Sequence, residues 1–420
     1  MYRLIAALLA ATSCVAGAQA QLPPASMTGG PVITLDEAVA AAGGSAPVAD
    51  AAQAGIEAAR AARTVAGLRP NPAVQTQFEN FAGSGDYRRD ERLESTVSLA
   101  VPLELGGKRA ARIAVADAQT DRAVLIAAIA QADIRLQVTQ LYAEAIAAER
   151  RLSIARDQDR IARDVFNAAR ARVQAGRASP LEEQRADVAL INAQANVERT
   201  ARLAEAARAN LSLRIGQPVV GRLDVGWLDQ LPQTHGPAVP PSASGTLALV
   251  AADADLAIAD AGIRLARSQR MPDLNVGPGV RRFSDTGDTA LVFTLSLPIP
   301  LFNSGKAAVA QASAERSGVE AQRRMTALDV EQAITTARAQ AANAAVTAKT
   351  ASGPALAAAE EAARIARIGY REGKFGQLDL LDSERTLAET RLTAIDALAT
   401  YQNARAQLER LTAPAPQQGN

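Results

Sequence analysis

Thr96-Val97-Ser98-Leu99-Ala100-Val101-Pro102, followed by Leu103-Glu104-Leu105-Gly106-Gly107-Lys108, has the pattern of a β-strand that leads into a helix. A second copy, Thr294-Leu295-Ser296-Leu297-Pro298-Ile299-Pro300 followed by Leu301-Phe302-Asn303-Ser304-Gly305-Lys306, lies about 198 positions later. A period this long indicates two fused half-proteins rather than a solenoid. In both copies apolar residues alternate with polar or small ones, so each strand has one apolar face.

Each strand leads into a helix that is too long for the core of a globular domain. The first helix has no strong stop signal between Gly107 and Gly176, which is about 69 residues or roughly 100 Å. Apolar residues recur along it at heptad spacing, which is typical of a coiled coil. The second helix repeats this pattern, and Ser352-Gly353-Pro354 predicts a bend within it. Each long helix ends in a glycine turn and a return helix.

The composition favours a mostly helical protein and excludes several functions. Of 420 residues, 48% are hydrophobic and only 3% aromatic, and the apolar content is largely alanine, a strong helix former. The net charge of +1 gives no basic face for nucleic acid. One His and one Cys leave little material for a metal centre or a His-based catalytic site. We therefore expect neither an enzyme nor a cofactor.

The N-terminus has the pattern of an export signal. Residues 1–20 are predicted to be a signal peptide, because Arg3 precedes a short apolar run and Ala18-Gln19-Ala20 forms a cleavage site. Lipoprotein processing before Cys14 is the alternative. Residues 21–33, rich in Pro, Gly and Ser, are predicted to be flexible.

The mature chain divides into two repeats of one plan. They span residues 34–215 and 245–412, separated by a linker at 216–244 and followed by a tail at 413–420 that is predicted to be disordered. The predicted elements are a helix from Thr34 to about Leu68, a β-hairpin at 72–102, a long helix at 107–175 and a return helix at 180–214 in the first repeat, and a helix, a β-hairpin at 272–300, a long helix at 305–371 and a return helix at 377–411 in the second.

Four amphipathic strands per chain require a partner. Strands of about 9–11 residues cross a bilayer when tilted, but an open sheet edge in lipid leaves backbone groups unsatisfied. Three copies supply twelve strands, enough for a barrel. We therefore predict a mostly α fold with a duplicated long α-hairpin and β-hairpin, assembled as a homotrimer with a 12-stranded β-barrel and an α-helical barrel.

Two groups of motifs resemble a known family. The segments Ile368-Gly369-Tyr370-Arg371-Glu372-Gly373 and Leu378-Asp379-Leu380-Leu381-Asp382 resemble the second periplasmic tip of the TolC family of trimeric outer-membrane efflux channels. Arg69-Pro70-Asn71-Pro72, Glu79-Asn80 and Leu105-Gly106-Gly107-Lys108-Arg109 resemble its CzcC branch, the outer-membrane partners of heavy-metal RND pumps. The resemblance implies a Gram-negative outer membrane, a periplasmic tunnel, and docking on an adaptor (membrane fusion) protein bound to an inner-membrane RND pump.

The resemblance assigns Asp379, Asp382 and Tyr370 to the channel constriction. The two aspartates lie three residues apart on one helix face, so three copies would place six carboxylates around a narrow pore and attract cations. Two solvated helix carboxylates are the alternative. Tyr370 matches a tyrosine that helps to hold the entrance shut, with ordinary packing between helices as its alternative. The family channel has Arg where this sequence has Phe375, which weakens the case for an ionic latch.

The two glycine turns are predicted to be the adaptor-docking tips. Their residues are Ala175, Gly176 and Arg177 in the first repeat and Glu372, Gly373 and Lys374 in the second. Glycine permits a left-handed conformation at a helix end, and the chain reversal alone accounts for its presence. Three chains with two tips each would offer six similar contacts to an adaptor.

Three functions fit these patterns. The first, whose metal cargo is implied by the resemblance to the CzcC branch alone, is the outer-membrane channel of a tripartite RND-type efflux system that passively conducts heavy-metal cations such as cobalt, zinc, cadmium or nickel. The second is the same channel serving drugs or organic solutes. The third is a periplasmic coiled-coil adaptor or scaffold without a pore. The lipid-facing strands argue against this third function, because an adaptor does not need them.

Overall fold

The computed structural model describes residues 32–45, 47–88, 92–231 and 243–416. The predicted signal peptide, Cys14 and residues 21–31 lie outside the described residues. The elements are, in chain order, β1 (Val32–Ile33), α1 (Leu35–Ser45), α2 (Pro47–Ala66), β2 (Ala73–Glu79), β3 (Glu94–Leu103), α3 (Lys108–Gln174), α4 (Pro180–Ile215), β4 (Arg222–Leu223), α5 (Leu247–Ser268), β5 (Leu274–Phe283), β6 (Thr289–Ser296), α6 (Lys306–Thr350), α7 (Leu356–Arg371) and α8 (Gln377–Leu411).

The hairpins of the two repeats form one antiparallel sheet in the order β2-β3-β5-β6. Val97 of β3 lies opposite Thr76 of β2 on one side and Val280 of β5 on the other, and Val280 lies opposite Leu291 of β6. The junction between β3 and β5 therefore joins the repeats, while β2 and β6 are edge strands within the described chain.

The two faces of this sheet differ sharply. One face carries large apolar side chains that are exposed in the single chain, and these are Val74, Phe78, Val97, Leu99, Val280, Leu291, Phe293 and Leu295. The other face carries polar or small residues such as Gln75, Ser98 and Gly279. An exposed apolar surface of this size marks a contact with lipid or protein.

The helices pack as two long hairpins. The first joins α3 to α4, the second joins α7 to α8, and α3 packs against α8 to connect the two. The main core lies where these helices meet α1 and the parallel pair of β1 and β4, and it includes Tyr142, Ile146, Leu211 and Leu398.

The N-terminal prediction needs two corrections. The helix expected to run from Thr34 to about Leu68 is described as two helices, α1 and α2, on either side of residue 46, which lies outside the described residues. Helix α2 begins at Pro47. Proline lacks an N–H donor but is well tolerated in the first turn of a helix, which suits its place at the start of α2. The last two residues of the segment predicted to be flexible, Val32 and Ile33, are ordered, because they pair with Arg222 and Leu223.

The predicted linker and tail are also more ordered than expected. The linker contains β4 and a short 3-10 helix at Val225–Asp229. In the tail, the carbonyl of Ala413 accepts from the N–H of Leu247 at 3.1 Å, and Ala415 donates to Gly245. The first N–H groups of a helix have no partner within it, so the tail satisfies one such donor of α5. Residues 417–420 lie outside the described chain.

The second repeat deviates from regular geometry at two places. Helical structure continues through Ser352 and Pro354, but as a π-type segment at Ala351–Ala355 between α6 and α7. Proline cannot donate the regular α-helical hydrogen bond, which accounts for the local change. The strand expected to reach residue 300 ends at Ser296, because Pro298 and Pro300 cannot donate to a ladder and no strand of the described residues lies beside them.

Candidate functional site

The two predicted tips have the same backbone geometry. In the first turn the N–H of Arg177 donates to the carbonyl of Arg172 at 2.8 Å, and in the second Lys374 donates to Gly369 at 2.8 Å. These bonds are the long-range link of a Schellman motif, with glycine at its left-handed position. Gly176 has a φ of 67° and Gly373 a φ of 69°. An added Cβ would meet nothing within 4 Å at either glycine, so the backbone conformation alone requires glycine there.

The return helices begin with different caps. The Ser179 hydroxyl accepts from the N–H of Leu181 at 3.3 Å at the start of α4. At the start of α8, the Asp379 carboxylate accepts from the N–H of Gly376 at 2.9 Å. Asp379 thus caps its own helix, a local role in addition to the one predicted for it.

Asp382 lies one turn further along α8 and is 68% exposed. Its carboxylate pairs with Arg385 at 2.8 Å, three residues on. At the corresponding positions of the first repeat stand Glu182 and Arg185, so this carboxylate pair is particular to the second tip. Both aspartates remain exposed near the turn, and their assignment to a constriction stays a prediction.

Tyr370 packs between the two hairpins. Its side chain is half-buried against a cluster that includes Val165 and Ala169 of α3 and Leu380 of α8. The hydroxyl oxygen is buried without a hydrogen-bond partner among the described residues. Phe375 folds back over the turn, so that a Cβ on Gly369 would lie 2.1 Å from its ring. The contacts of Tyr370 within one chain are those of packing, and its role at the entrance stays a prediction.

An ion pair just above the second tip was not predicted from the sequence. Glu384 is only 2% exposed, and both of its oxygens contact the guanidinium of Arg367, one of them at 2.8 Å. The hydrogen bond with Glu384 raises the pKa of Arg367. The two residues are equally far from the turn, as are Glu360 and Arg391, which pair at 3.0 Å. Opposite charges at equal distances from a predicted turn were the signal that could have found both pairs.

A second missed cluster locks the linker between α3 and α8. The buried Tyr142 hydroxyl donates to the carbonyl of Ile33 at 2.7 Å and accepts from the N–H of Asp224 at 3.0 Å. Its ring meets Trp227 edge-on at 5.3 Å between centroids. Burial raises the pKa of Tyr142 to about 12. The Gln402 amide donates to three linker carbonyls at 3.1 to 3.3 Å, so the linker is part of the folded wall.

The Gly-Gly-Lys-Arg segment joins the sheet to the helices. The Asp273 carboxylate, just before β5, accepts from the N–H of Leu105 at 3.1 Å and from Lys108 at 2.6 Å. A Cβ on Gly106 would lie 2.6 Å from Met271, so a larger residue cannot fit. This motif of the first repeat therefore holds the start of the second hairpin.

No helix among the described residues combines the length and the apolar character that a membrane span requires. In the same part of the chain, no three His, Cys, Asp or Glu side chains are grouped so that they could hold a metal ion.

Comparison with known proteins points to one family. The family model described as Outer membrane efflux protein matches residues 42–217 and 243–413. The cobalt-zinc-cadmium resistance protein CzcC of Cupriavidus metallidurans is 30% identical over 375 residues, which cover 89% of this chain and 88% of that protein. The nickel-cobalt-cadmium resistance protein NccC of Alcaligenes xylosoxydans xylosoxydans is 28% identical over 305 residues, covering 72% and 66%.

Solved structures share the fold. A membrane protein from Pseudomonas aeruginosa superposes with a TM-score of 0.75 at 22% identity, covering 92% of this chain and 91% of the other. The open state of the MtrE outer membrane channel of Neisseria gonorrhoeae gives a TM-score of 0.72 at 22% identity, covering 90% and 88%. The predicted mostly helical fold with duplicated hairpins is confirmed.

Proposed function

Because the chain belongs to the outer membrane efflux protein family, we propose that it is the outer-membrane channel of a tripartite RND-type efflux system for heavy-metal cations. The observation that carries this proposal is the joining of an amphipathic sheet to helices of 67 and 45 residues, in a chain that resembles metal-resistance proteins along most of its length. Such a sheet suits lipid on one side and water on the other, and the helices suit a long periplasmic duct.

A second copy of the chain fits the open sheet edges. Within one chain Val101 of β3 lies opposite Val276 of β5. Ile299 corresponds to Val101 in the duplication and Thr76 to Val276, so Ile299 of one copy should lie opposite Thr76 of the next. This register places Leu297 and Leu301 beside Phe78 and Val74, on the same apolar face. All four of these side chains are exposed in the single chain.

The helices support the same assembly. Helix α3 packs on α8 within the chain, and the duplication equates α3 with α6 and α7, and α8 with α4. Helix α4 should therefore meet α6 and α7 of a neighbouring copy. Apolar residues are exposed on both sides of this expected contact, namely Leu181, Val188, Ile191 and Leu203 on α4 and Met325, Leu328, Ile365 and Ile368 on α6 and α7. Three copies give twelve strands and a closed homotrimer.

Cysteine pairs test this register. Thr76→Cys with Ile299→Cys, in a chain whose own Cys14 is replaced, should form disulfides between subunits and yield bands of two and three chains. Opposite residues of an antiparallel pair have Cα atoms about 4.5–5.5 Å apart. The matched control, Thr76→Cys with Leu295→Cys, is displaced by four residues, about 13 Å, and should not react. Equal cross-linking of both pairs, or none with the first, would contradict the assembly.

The cargo is inferred from the metal-resistance relatives, since a passive duct needs no high-affinity metal site. Deletion of the gene should sensitise cells to cobalt, zinc, cadmium or nickel salts, and the wild-type gene should restore resistance. Sensitivity to drugs or organic solutes without any to metals would instead assign the channel to organic cargo. Recovery of the processed protein without detergent would contradict an outer-membrane channel altogether.

The finer assignments follow from this function. In the assembled trimer, the periplasmic constriction is formed by Asp379, Asp382 and Tyr370. The turns around Gly176 and Gly373 dock on a periplasmic adaptor that is bound to an inner-membrane RND pump. Their shared Schellman geometry supports equivalent contacts from both repeats. Export depends on the N-terminal signal peptide, and mass spectrometry of the mature N-terminus distinguishes cleavage after Ala20 from lipidation at Cys14.

A further inference from the structure

The polar face of the four-stranded sheet carries a single charged cluster. Among the described strand residues on this face, the charged side chains are Glu79 of β2, Glu94 of β3 and Arg281 of β5. The remaining strand positions on this face are uncharged, and most are small or polar, such as Ser98 and Gly279. The cluster lies at the loop end of the strands, the end farthest from the long helices.

Arg281 holds both carboxylates at once. One terminal nitrogen of its guanidinium lies 2.8 Å from Glu94 Oε2 and the other lies 2.8 Å from Glu79 Oε2. The other oxygens of the two carboxylates accept from side-chain amides, Glu94 from Asn80 and Glu79 from Gln77, each at 3.2 Å. Three of the four carboxylate oxygens therefore accept a hydrogen bond from a side chain of the same protein. The fourth, Glu79 Oε2, is buried against the guanidinium in the ion pair but accepts no hydrogen bond among the described residues.

This arrangement has a net charge of −1 in each chain, since two carboxylates surround one guanidinium. In the proposed trimer the polar face lines the water-filled lumen, so three clusters form a ring of charge −3 at the outer mouth. A ring of one sign in a narrow pore raises the local concentration of the opposite ion. The ring should therefore favour cations, because no other described strand residue on the polar face is charged.

Carboxylates in pairs are also good ligands for divalent metal ions, and a ligand that binds too tightly stops conduction. Resting on the channel proposed above, we propose that Arg281 is a selectivity residue of the outer mouth. It occupies Glu79 and Glu94 so that the ring attracts metal cations without coordinating them. A metal ion then leaves the mouth as readily as it arrives.

The test uses the full chain reconstituted into planar lipid bilayers, with KCl gradients and with Cd²⁺ added alone on the loop side. Arg281→Gln frees both carboxylates and changes the ring from −3 to −6, so cation preference should rise. The Cd²⁺ concentration that halves the current should fall by about tenfold, because affinity for divalent cations follows the number of free charged ligands. The double variant Glu79→Gln/Glu94→Gln makes the ring +3, so its cation preference should fall below that of the wild type although the constriction carboxylates remain.

Arg282→Gln is the matched control, because Arg282 is the next residue on β5 but lies on the opposite face and is exposed. It should behave like the wild type. An Arg281→Gln channel with wild-type sensitivity to Cd²⁺, or a double variant with the cation preference of the wild type, would overturn the inference. So would failure of both variants to assemble, since the cluster would then be structural. If the wild-type protein conducts, these outcomes count against the Arg281 inference alone. If the wild-type protein carries no current, the proposed channel function is itself contradicted.

Discussion

The ion pair between Arg367 and Glu384 offers the most direct test of how the second hairpin is held closed above its tip. Glu384 is 2% exposed, whereas the Arg367 side chain is 44% exposed. Removing one partner of a fully buried pair costs about 3–5 kcal/mol. Because Arg367 can be rehydrated on its exposed side, we expect about 2 kcal/mol for Glu384→Ala. Glutamine keeps an acceptor but loses the charge, so about 1 kcal/mol is expected for Glu384→Gln.

These free energies convert into rates of local opening. At 1.4 kcal/mol per factor of ten, the alanine variant should open about 30 times more often than the wild type and the glutamine variant about five times. Hydrogen exchange measured by mass spectrometry on the last two turns of α7 reports this opening directly. The assay uses the intact protein in detergent at a pH where exchange follows the opening equilibrium.

The control is Glu389→Gln on the same helix. Its carboxylate is largely exposed and lies 3.8 Å from Arg385, so the loss should be a few tenths of a kcal/mol and the exchange nearly unchanged. An acceleration below threefold in the alanine variant would refute the reasoning. Equal effects of the control and alanine variants would also refute it, because burial would then play no part.

Three further predictions concern the linker, the tips and the constriction. Tyr142→Phe should cost about 1–2 kcal/mol below pH 10, because it loses two hydroxyl hydrogen bonds. The native pKa of about 12 lies above the ordinary value near 10, so the hydroxyl's contribution should disappear as the pH rises from 10 to 12, measured as the difference in melting temperature between wild type and variant. Gly373→Val should abolish metal resistance while trimers persist on gels. Gly176→Val introduces the same backbone strain of about 1–2 kcal/mol per chain and tests the first tip. Full resistance in both variants would contradict docking on an adaptor through the tips. Asp379→Asn with Asp382→Asn should reduce cation preference in bilayer recordings while keeping the helix cap, and unchanged reversal potentials would remove the carboxylates from the constriction.

The amino-acid sequence alone was sufficient for the fold class and the family. Alternation of apolar residues around Val97 and Leu295 predicted amphipathic strands, heptad spacing predicted the long helices, and glycine marked the two turns. These signals are local, because a strand or helix repeats its side-chain direction every two or 3.6 residues. The family prediction is confirmed by the match over both repeats.

The tertiary structure decided which distant residues meet and what they do there. Arg281 meets Glu79 across about two hundred positions, and Gln402 holds the linker from the far end of the chain. Asp379, expected only at a pore, also caps its own helix. No local period encodes such contacts, because they arise from how the two repeats pack side by side. A residue whose secondary structure is determined within one repeat therefore contacts its partner only when the two repeats pack against each other.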